Sequence, residues 1–196
     1  MKEFSRYAIF AGMLIGVGGL TYLRIGGVVG ATLFAFGLLC ILLCKAQLFT
    51  SKAGFLPFKQ SYMLLPMILF NALGCALMAT MLFYIGNDRV TEGLQAILTA
   101  RATTPWHGIA LTSIGTGMIM TLAVYGVQRN NYLPLLFGVP VFILCGLPHC
   151  MADAFYYAAG IYAGMGSWSM LGSWSAAIVG NYIGCNIPRL VMQEKF

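Results

Sequence analysis

Gly146-Leu147-Pro148-His149 interrupts an apolar run that extends from Asn130 to Ala152 without Asp, Glu, Lys or Arg. Gly and Pro disfavour a helix interior, and the backbone groups they free find no hydrogen-bond partner in lipid. Such backbone persists at membrane depth only where it is packed in protein or lines a cavity. An ionisable group at that depth marks a functional site by default. A histidine alone in such a run can also be a packing residue bonded to a neighbouring helix. The adjacent glycine and proline favour a pore or site histidine.

The rest of the chain has the same character. It is 60% hydrophobic and 8% charged, against roughly 25% charged residues in an ordinary soluble domain. Segments free of Asp, Glu, Lys and Arg are Tyr7 to Leu23, Ile25 to Cys44, Gln60 to Asn87, Ala102 to Gln128, Asn130 to Ala152 and Ala154 to Pro188. These are six candidate spans of about 20 residues or slightly fewer. The expected fold is an all-α integral membrane protein forming one membrane domain over residues 1–196. A cleavable signal peptide is not expected, because the first segment is a full apolar span and no small-residue cleavage pattern follows it.

An even number of spans puts both termini on one side. Assigned to the cytoplasm, the ends and matching loops hold Lys2, Arg6, Lys52, Lys59, Arg129, Arg189 and Lys195, against Arg24, Arg89 and Arg101 outside. Basic residues concentrate on the cytoplasmic side, so both termini are expected there. The formal charge of +6 then has a topological origin, and nucleic acid is not an expected partner. Trp106, Trp168 and Trp174 fall near span ends, as interfacial belts expect, and His107 beside Trp106 reads as interfacial too. The six cysteines, Cys40, Cys44, Cys75, Cys145, Cys150 and Cys185, read as free thiols packing as small apolar residues. Cys145, His149, Cys150 and Asp153 match no zinc spacing, so neither metal nor cofactor is expected.

Two segments look broken. The second apolar run ends in Lys45-Ala46-Gln47-Leu48-Phe49-Thr50-Ser51-Lys52-Ala53-Gly54, and the fifth breaks at Gly146 to His149. Interrupted segments in corresponding positions of two halves point to a transporter's binding site. The breaks fall in the middle members of two three-span halves. An internal echo supports the pairing: Asn71-Ala72-Leu73-Gly74-Cys75 recurs as Asn181-Tyr182-Ile183-Gly184-Cys185. Glycine permits close helix approach, while a buried Asn amide needs partners such as the freed backbone of a broken helix.

With these motifs in register, the chain resembles the formate/nitrite transporter family, which includes formate, nitrite and hydrosulfide channels. The family's Leu-Phe-Thr loop is matched by Leu48-Phe49-Thr50. Its Gly-Phe-Glu-His-Ser-Ile-Ala-Asn motif is matched by Gly146 to Asp153, and its Gly-Asn-Ile-Ile-Gly-Gly run by Gly180 to Cys185. Gly37-Leu38-Leu39-Cys40 and Leu122-Ala123-Val124 extend the similarity over nearly the whole chain. The resemblance implies six transmembrane helices in an aquaporin-like inverted repeat with broken second and fifth helices. It further implies a homopentamer with one pore per protomer in the plasma membrane, the inner membrane of a bacterium. By motif position, His149 is the central histidine and Thr50 the loop threonine facing it. Phe34, Leu38, Leu48, Phe49 and Phe142 match the constrictions, Arg101 a vestibule lysine and Asn181 the sixth-helix asparagine, with Asn71 its echo.

Departures from the family pattern are equally visible. Pro148 replaces the carboxylate before the central histidine, Asp153 replaces an asparagine, Gln47 stands where an acidic residue precedes the loop, and Gly117 replaces a fourth-span asparagine. Arg101 keeps a positive charge but cannot give up its proton. Six residues precede the first span, so the family's N-terminal cytoplasmic helix is expected to be absent or short.

An anion crossing a dry ring of Phe and Leu faces a Born penalty on the order of tens of kcal/mol. Protonating a weak acid of pKa about 3.5 to 4 at pH 7 costs roughly 4 kcal/mol, at about 1.36 kcal/mol per pH unit. Neutralisation wins. The expected function is therefore a membrane channel for small monovalent anions or weak acids, in which Arg101 gathers anions at the external mouth. The acid passes the ring in neutral form, and Thr50 and His149 orient or reprotonate it midway. Asp153, at i+4 from His149, complicates this, because its carboxylate repels an anion unless Lys45 or Lys52 neutralises it. It also reads as a cap of the second half-helix. The alternative is an aquaporin-like channel for small neutral solutes, favoured by a charged, unpaired Asp153. An enzyme needs more acid-base or metal groups than His107 and His149 supply.

Overall fold

The computed structural model describes residues 2–192, with Phe83 by its backbone alone; Lys195 of the charge pattern lies outside the described residues. The described chain is helical throughout. Its helices are α1 (Lys2–Ile25), α2 (Gly27–Leu43), α3 (Phe49–Lys52), α4 (Leu64–Ala79), α5 (Leu82–Ile85), α6 (Asp88–Thr103), α7 (Trp106–Gln128), α8 (Leu133–Leu144), α9 (Cys150–Tyr162) and α10 (Ser169–Met192). A 3-10 turn, Phe58–Met63, leads into α4. By length and composition, Lys2–Ile25, Phe58–Ala79 and Trp106–Gln128 can each cross a membrane, while α2 and α8 are shorter apolar helices.

The two halves repeat each other. In the first, α1 packs on α4 and α2; in the second, α7 packs on α10 and α8, and α2 meets α8 between them. Glycine makes the pairs close. A Cβ at Gly74 would collide with the carbonyl of Ile9 on α1, and one at Gly184 with the carbonyl of Ile114 on α7. The echoed glycines are thus the crossing points of equivalent helix pairs. Gly117 also presses on α10, where a Cβ would meet the carbonyl of Asn181, so a family asparagine has no room at this position.

Both broken segments close their first helix in the same way. Lys45 and Gly146 take left-handed φ values of 53° and 68°. Ala46 donates to Ile41 O at 2.8 Å and Leu147 to Phe142 O at 2.9 Å, the six-to-one bond that ends a helix and turns the chain. The half-helices then start at Phe49 and Cys150.

Several boundaries differ from the sequence expectation. The third segment is not one span to Asn87, because helix α4 ends at Ala79 and α5 is a separate short turn. Residues 88–101 are not an external loop but most of α6, capped by Asn87, whose Oδ1 accepts from Val90 N at 3.1 Å. Val90, Leu94 and Leu98 form its buried stripe, and α6 packs against α9. Pro105 separates α6 from α7, so the fourth span begins at Trp106 rather than Ala102. Cys44 and Cys145 are exposed at the ends of α2 and α8, while Cys75, Cys150 and Cys185 are buried.

Candidate functional site

The two half-helix starts are held by the echoed asparagines. Asn71 Oδ1 accepts from Phe49 N at 2.9 Å, and its Nδ2 donates to Gln47 O and to Ala8 O, both at 2.8 Å. Asn181 Oδ1 accepts from Cys150 N at 2.8 Å, and its Nδ2 donates to Pro148 O at 3.1 Å and Ser113 O at 2.8 Å. The roles correspond position by position: first amide of the half-helix, a carbonyl two residues earlier, and a carbonyl of the facing long helix. The echoed thiols complete the arrangement. Cys75 Sγ lies 3.2 Å from Met151 O, and Cys185 Sγ 3.5 Å from Thr50 O, so each reaches the opposite half's broken segment.

Asn71 and Asn181 are both occupied by the backbone around the two breaks. Both side chains are fully buried and both hydrogens of each amide go to backbone carbonyls, leaving no donor for a solute.

At the second break, His149 is the N-cap of α9, with φ −115° and ψ 109°. Its Nδ1 accepts from Ala152 N at 3.1 Å, and its Nε2 lies 3.0 Å from Thr50 Oγ1. An Nδ1 that accepts an amide hydrogen is unprotonated, which places the ring proton on Nε2 and makes it the donor to Thr50. The hydroxyl hydrogen of Thr50 is then left to donate elsewhere. A second ring proton would have to sit on Nδ1, pointing at the amide of Ala152. The expectation that His149 itself reprotonates a solute meets this obstacle, because the local bonds select the neutral ring. The capping expectation for Asp153 is also corrected: the cap is His149.

Phe142 stacks on the imidazole with ring centres 5.4 Å apart at 26°, and Phe34 meets Phe142 edge-on at 6.3 Å. Leu38, Leu48 and Phe49 are buried in the same core. Next to the stacked Phe142 and His149 lies a cavity of about 290 Å³, lined by Tyr22, Arg101, Phe142, His149, Asp153 and Tyr156 among others. Arg101 comes from the last turn of α6, and its Nε lies 3.2 and 3.3 Å from the two oxygens of Asp153 while Nη1 donates to Gly146 O at 3.0 Å. Asp153 is thus neutralised by Arg101, not by Lys45 or Lys52, and the Arg101 charge is paired.

Trp174 serves the second break as well. Its indole Nε1 donates to Cys150 O at 2.8 Å, bracing the half-helix start, while Trp106 and Trp168 are exposed. Nothing local in the sequence separates Trp174 from the other two. Among the described residues no three His, Cys, Asp or Glu side chains gather as a metal set.

With the two breaks and the buried His–Thr contact in place, a family profile described as "Formate/nitrite transporter" matches residues 1–192. The chain belongs to the formate/nitrite transporter family. Solved structures similar to it include a chain described as "FNT family ion channel", with a TM-score of 0.84, 15% identity, and coverage of 97% of this chain and 88% of that one. Another is described as "Pentameric formate channel with formate bound", with a TM-score of 0.84, 16% identity, and coverage of 98% and 95%. At such identity the likeness establishes the fold. No curated protein sequence matches this chain. As a formate/nitrite transporter family member, the protein is integral to the membrane, which explains exposed apolar side chains such as Leu65, Phe137 and Val191.

Proposed function

We propose that this family member is a channel for small monovalent anions and their weak acids, with the Thr50–His149 pair as its midway station. The carrying observation is the contact of Thr50 Oγ1 with His149 Nε2 at 3.0 Å, both residues buried, with His149 lining the Arg101 cavity. The solute sheds its charge as it leaves this cavity, because neutralisation at roughly 4 kcal/mol is far cheaper than carrying an anion through Phe and Leu. It carries its own proton. Proton coupling therefore follows from the acid, while His149 stays neutral and Thr50 offers its free hydrogen to the solute oxygen. The protomer assembles as a homopentamer, like the formate channel it resembles. Both termini lie in the cytoplasm. Three crossings separate the halves, which makes the repeat inverted. The alternative of a neutral-solute channel loses its specific support, since Asp153 is paired.

The test is uptake by liposomes containing the purified protein, with formate, nitrite, hydrosulfide, lactate and acetate compared at two pH values, and glycerol as neutral control. Uptake at fixed total concentration is expected to rise toward low pH, by up to about ten-fold per unit above the acid's pKa. Glycerol uptake equal to that of the acids at either pH would refute the reading. Native mass measurement in detergent is expected to give a pentamer; a stable monomer would count against the assembly.

Thr50 offers a sharper check. Thr50→Ser keeps the hydroxyl and is expected to retain most of the uptake. Thr50→Val has nearly the same shape but no donor, and loss of one hydrogen bond of about 1.5 kcal/mol in a dry site lowers uptake roughly ten-fold. Equal uptake by the two variants would remove Thr50 from the mechanism.

A further inference from the structure

We propose that Asp153 sets the affinity of the Arg101 cavity by attenuating and aiming the guanidinium charge, a positioning role that rests on the anion-channel reading above. The geometry has three parts. Arg101 Nε is shared between both Asp153 oxygens at 3.2 and 3.3 Å, and Nη1 is held by Gly146 O at 3.0 Å. The carboxylate is almost wholly buried, with 1% of its side chain exposed against 13% for Arg101. Nη2 has no hydrogen-bond partner among the described residues, and Arg101 lines the cavity together with His149. The pair also crosses elements, since Arg101 ends α6, Asp153 lies in the first turn of α9 and Gly146 follows α8.

The cavity is lined by both partners, so an anion in it feels the guanidinium together with the carboxylate bound to its Nε edge. The carboxylate cancels part of the attraction, the more so the nearer it lies to the anion, because Coulomb energy falls inversely with separation. The cavity then receives anions weakly and releases them readily, which suits a conducting path more than a binding protein. A lone cation at this place would hold the anion more tightly at low ionic strength. Asp153 offers the solute no donor in this scheme and acts through Arg101.

The test uses the assembled protein in liposomes at fixed pH, reading the half-saturation concentration and maximal rate of formate uptake at low and at about 1 M ionic strength, where the screening length is about 3 Å. Asp153→Asn keeps an oxygen for Nε but removes the charge, and its half-saturation concentration is expected to fall roughly three- to ten-fold at low salt and to converge with wild type at high salt. Arg101→Gln strands the carboxylate and is expected to raise half-saturation ten-fold or more. Arg101→Gln combined with Asp153→Asn is expected to recover much of that loss and to lose the salt dependence. An assembled Asp153→Asn protein with unchanged or higher half-saturation at low salt overturns the proposal. If that variant does not assemble, the comparison of Arg101→Gln with the double variant decides, and equal half-saturation in both overturns it. Wild-type liposomes without saturable formate uptake would overturn the channel reading itself, a result distinct from either.

Discussion

Asn181→Ala is expected to abolish assembly. Its amide serves three backbone groups, Cys150 N, Pro148 O and Ser113 O, and none of these has water to turn to. Each buried group left unsatisfied costs about 1–3 kcal/mol, so the sum of roughly 3–9 kcal/mol rivals the whole stability of an ordinary domain. Asn71→Ala removes the equivalent three bonds at the first break and is expected to behave the same way. Asparagine-to-aspartate changes give no relief, since a carboxylate would face two carbonyls that need donors. Ser61→Ala is the control: it deletes a half-buried hydroxyl contact with Tyr182 away from the half-helix starts, and should leave assembly intact. Size-exclusion profiles and thermal unfolding in detergent measure all of these. An Asn181→Ala protein that purifies as the wild-type oligomer with an unchanged melting temperature would show that the amide is dispensable.

The second large effect is expected at His149, and there it falls on transport. Asparagine is a good N-cap, so in His149→Asn the side-chain oxygen can take over the Ala152 amide and hold the start of α9. The shorter side chain loses the reach to Thr50 and the stack on Phe142. Uptake by the assembled variant is therefore expected to drop roughly ten- to a hundred-fold, the equivalent of about 1.5–3 kcal/mol for a lost polar contact in a dry site. The slope of uptake against pH should survive, because the proton travels on the acid. A flattened slope would instead identify the imidazole as the proton donor, against the bond that occupies Nδ1. Unchanged flux in an assembled variant would leave His149 as a purely structural cap. His149→Ala separates the two roles further, since it also loses the cap, worth about 1 kcal/mol, and should lower the melting temperature where asparagine does not.

Much of this architecture was legible in one dimension, because membrane helices and their interruptions are local facts. Apolar runs, the glycine at 146 and the proline at 148 mark the second break without any knowledge of neighbours. The Asn-x-x-Gly-Cys echo pointed to the repeat, and its physics held: glycine at the crossing, asparagine on freed backbone. The motif order carried the family, and through it the pairing of His149 with Thr50, 99 residues apart, which no local rule supplies.

Tertiary structure alone decided three things. It placed Asn71 and Asn181 on the backbone of the half-helix starts, because an amide's use depends on which carbonyls surround it, and those lie 24 to 68 residues away. It folded residues 88–103 into α6, a helix whose narrow apolar stripe gains stability by packing on α9, α1 and α10, and thereby carried Arg101 to Asp153, 52 residues distant. It also fixed the imidazole tautomer through the amide of Ala152. Helices and breaks follow from the chain's own backbone needs, so sequence determines them; charge pairing and proton placement depend on what else arrives, and only the packed fold brings it there.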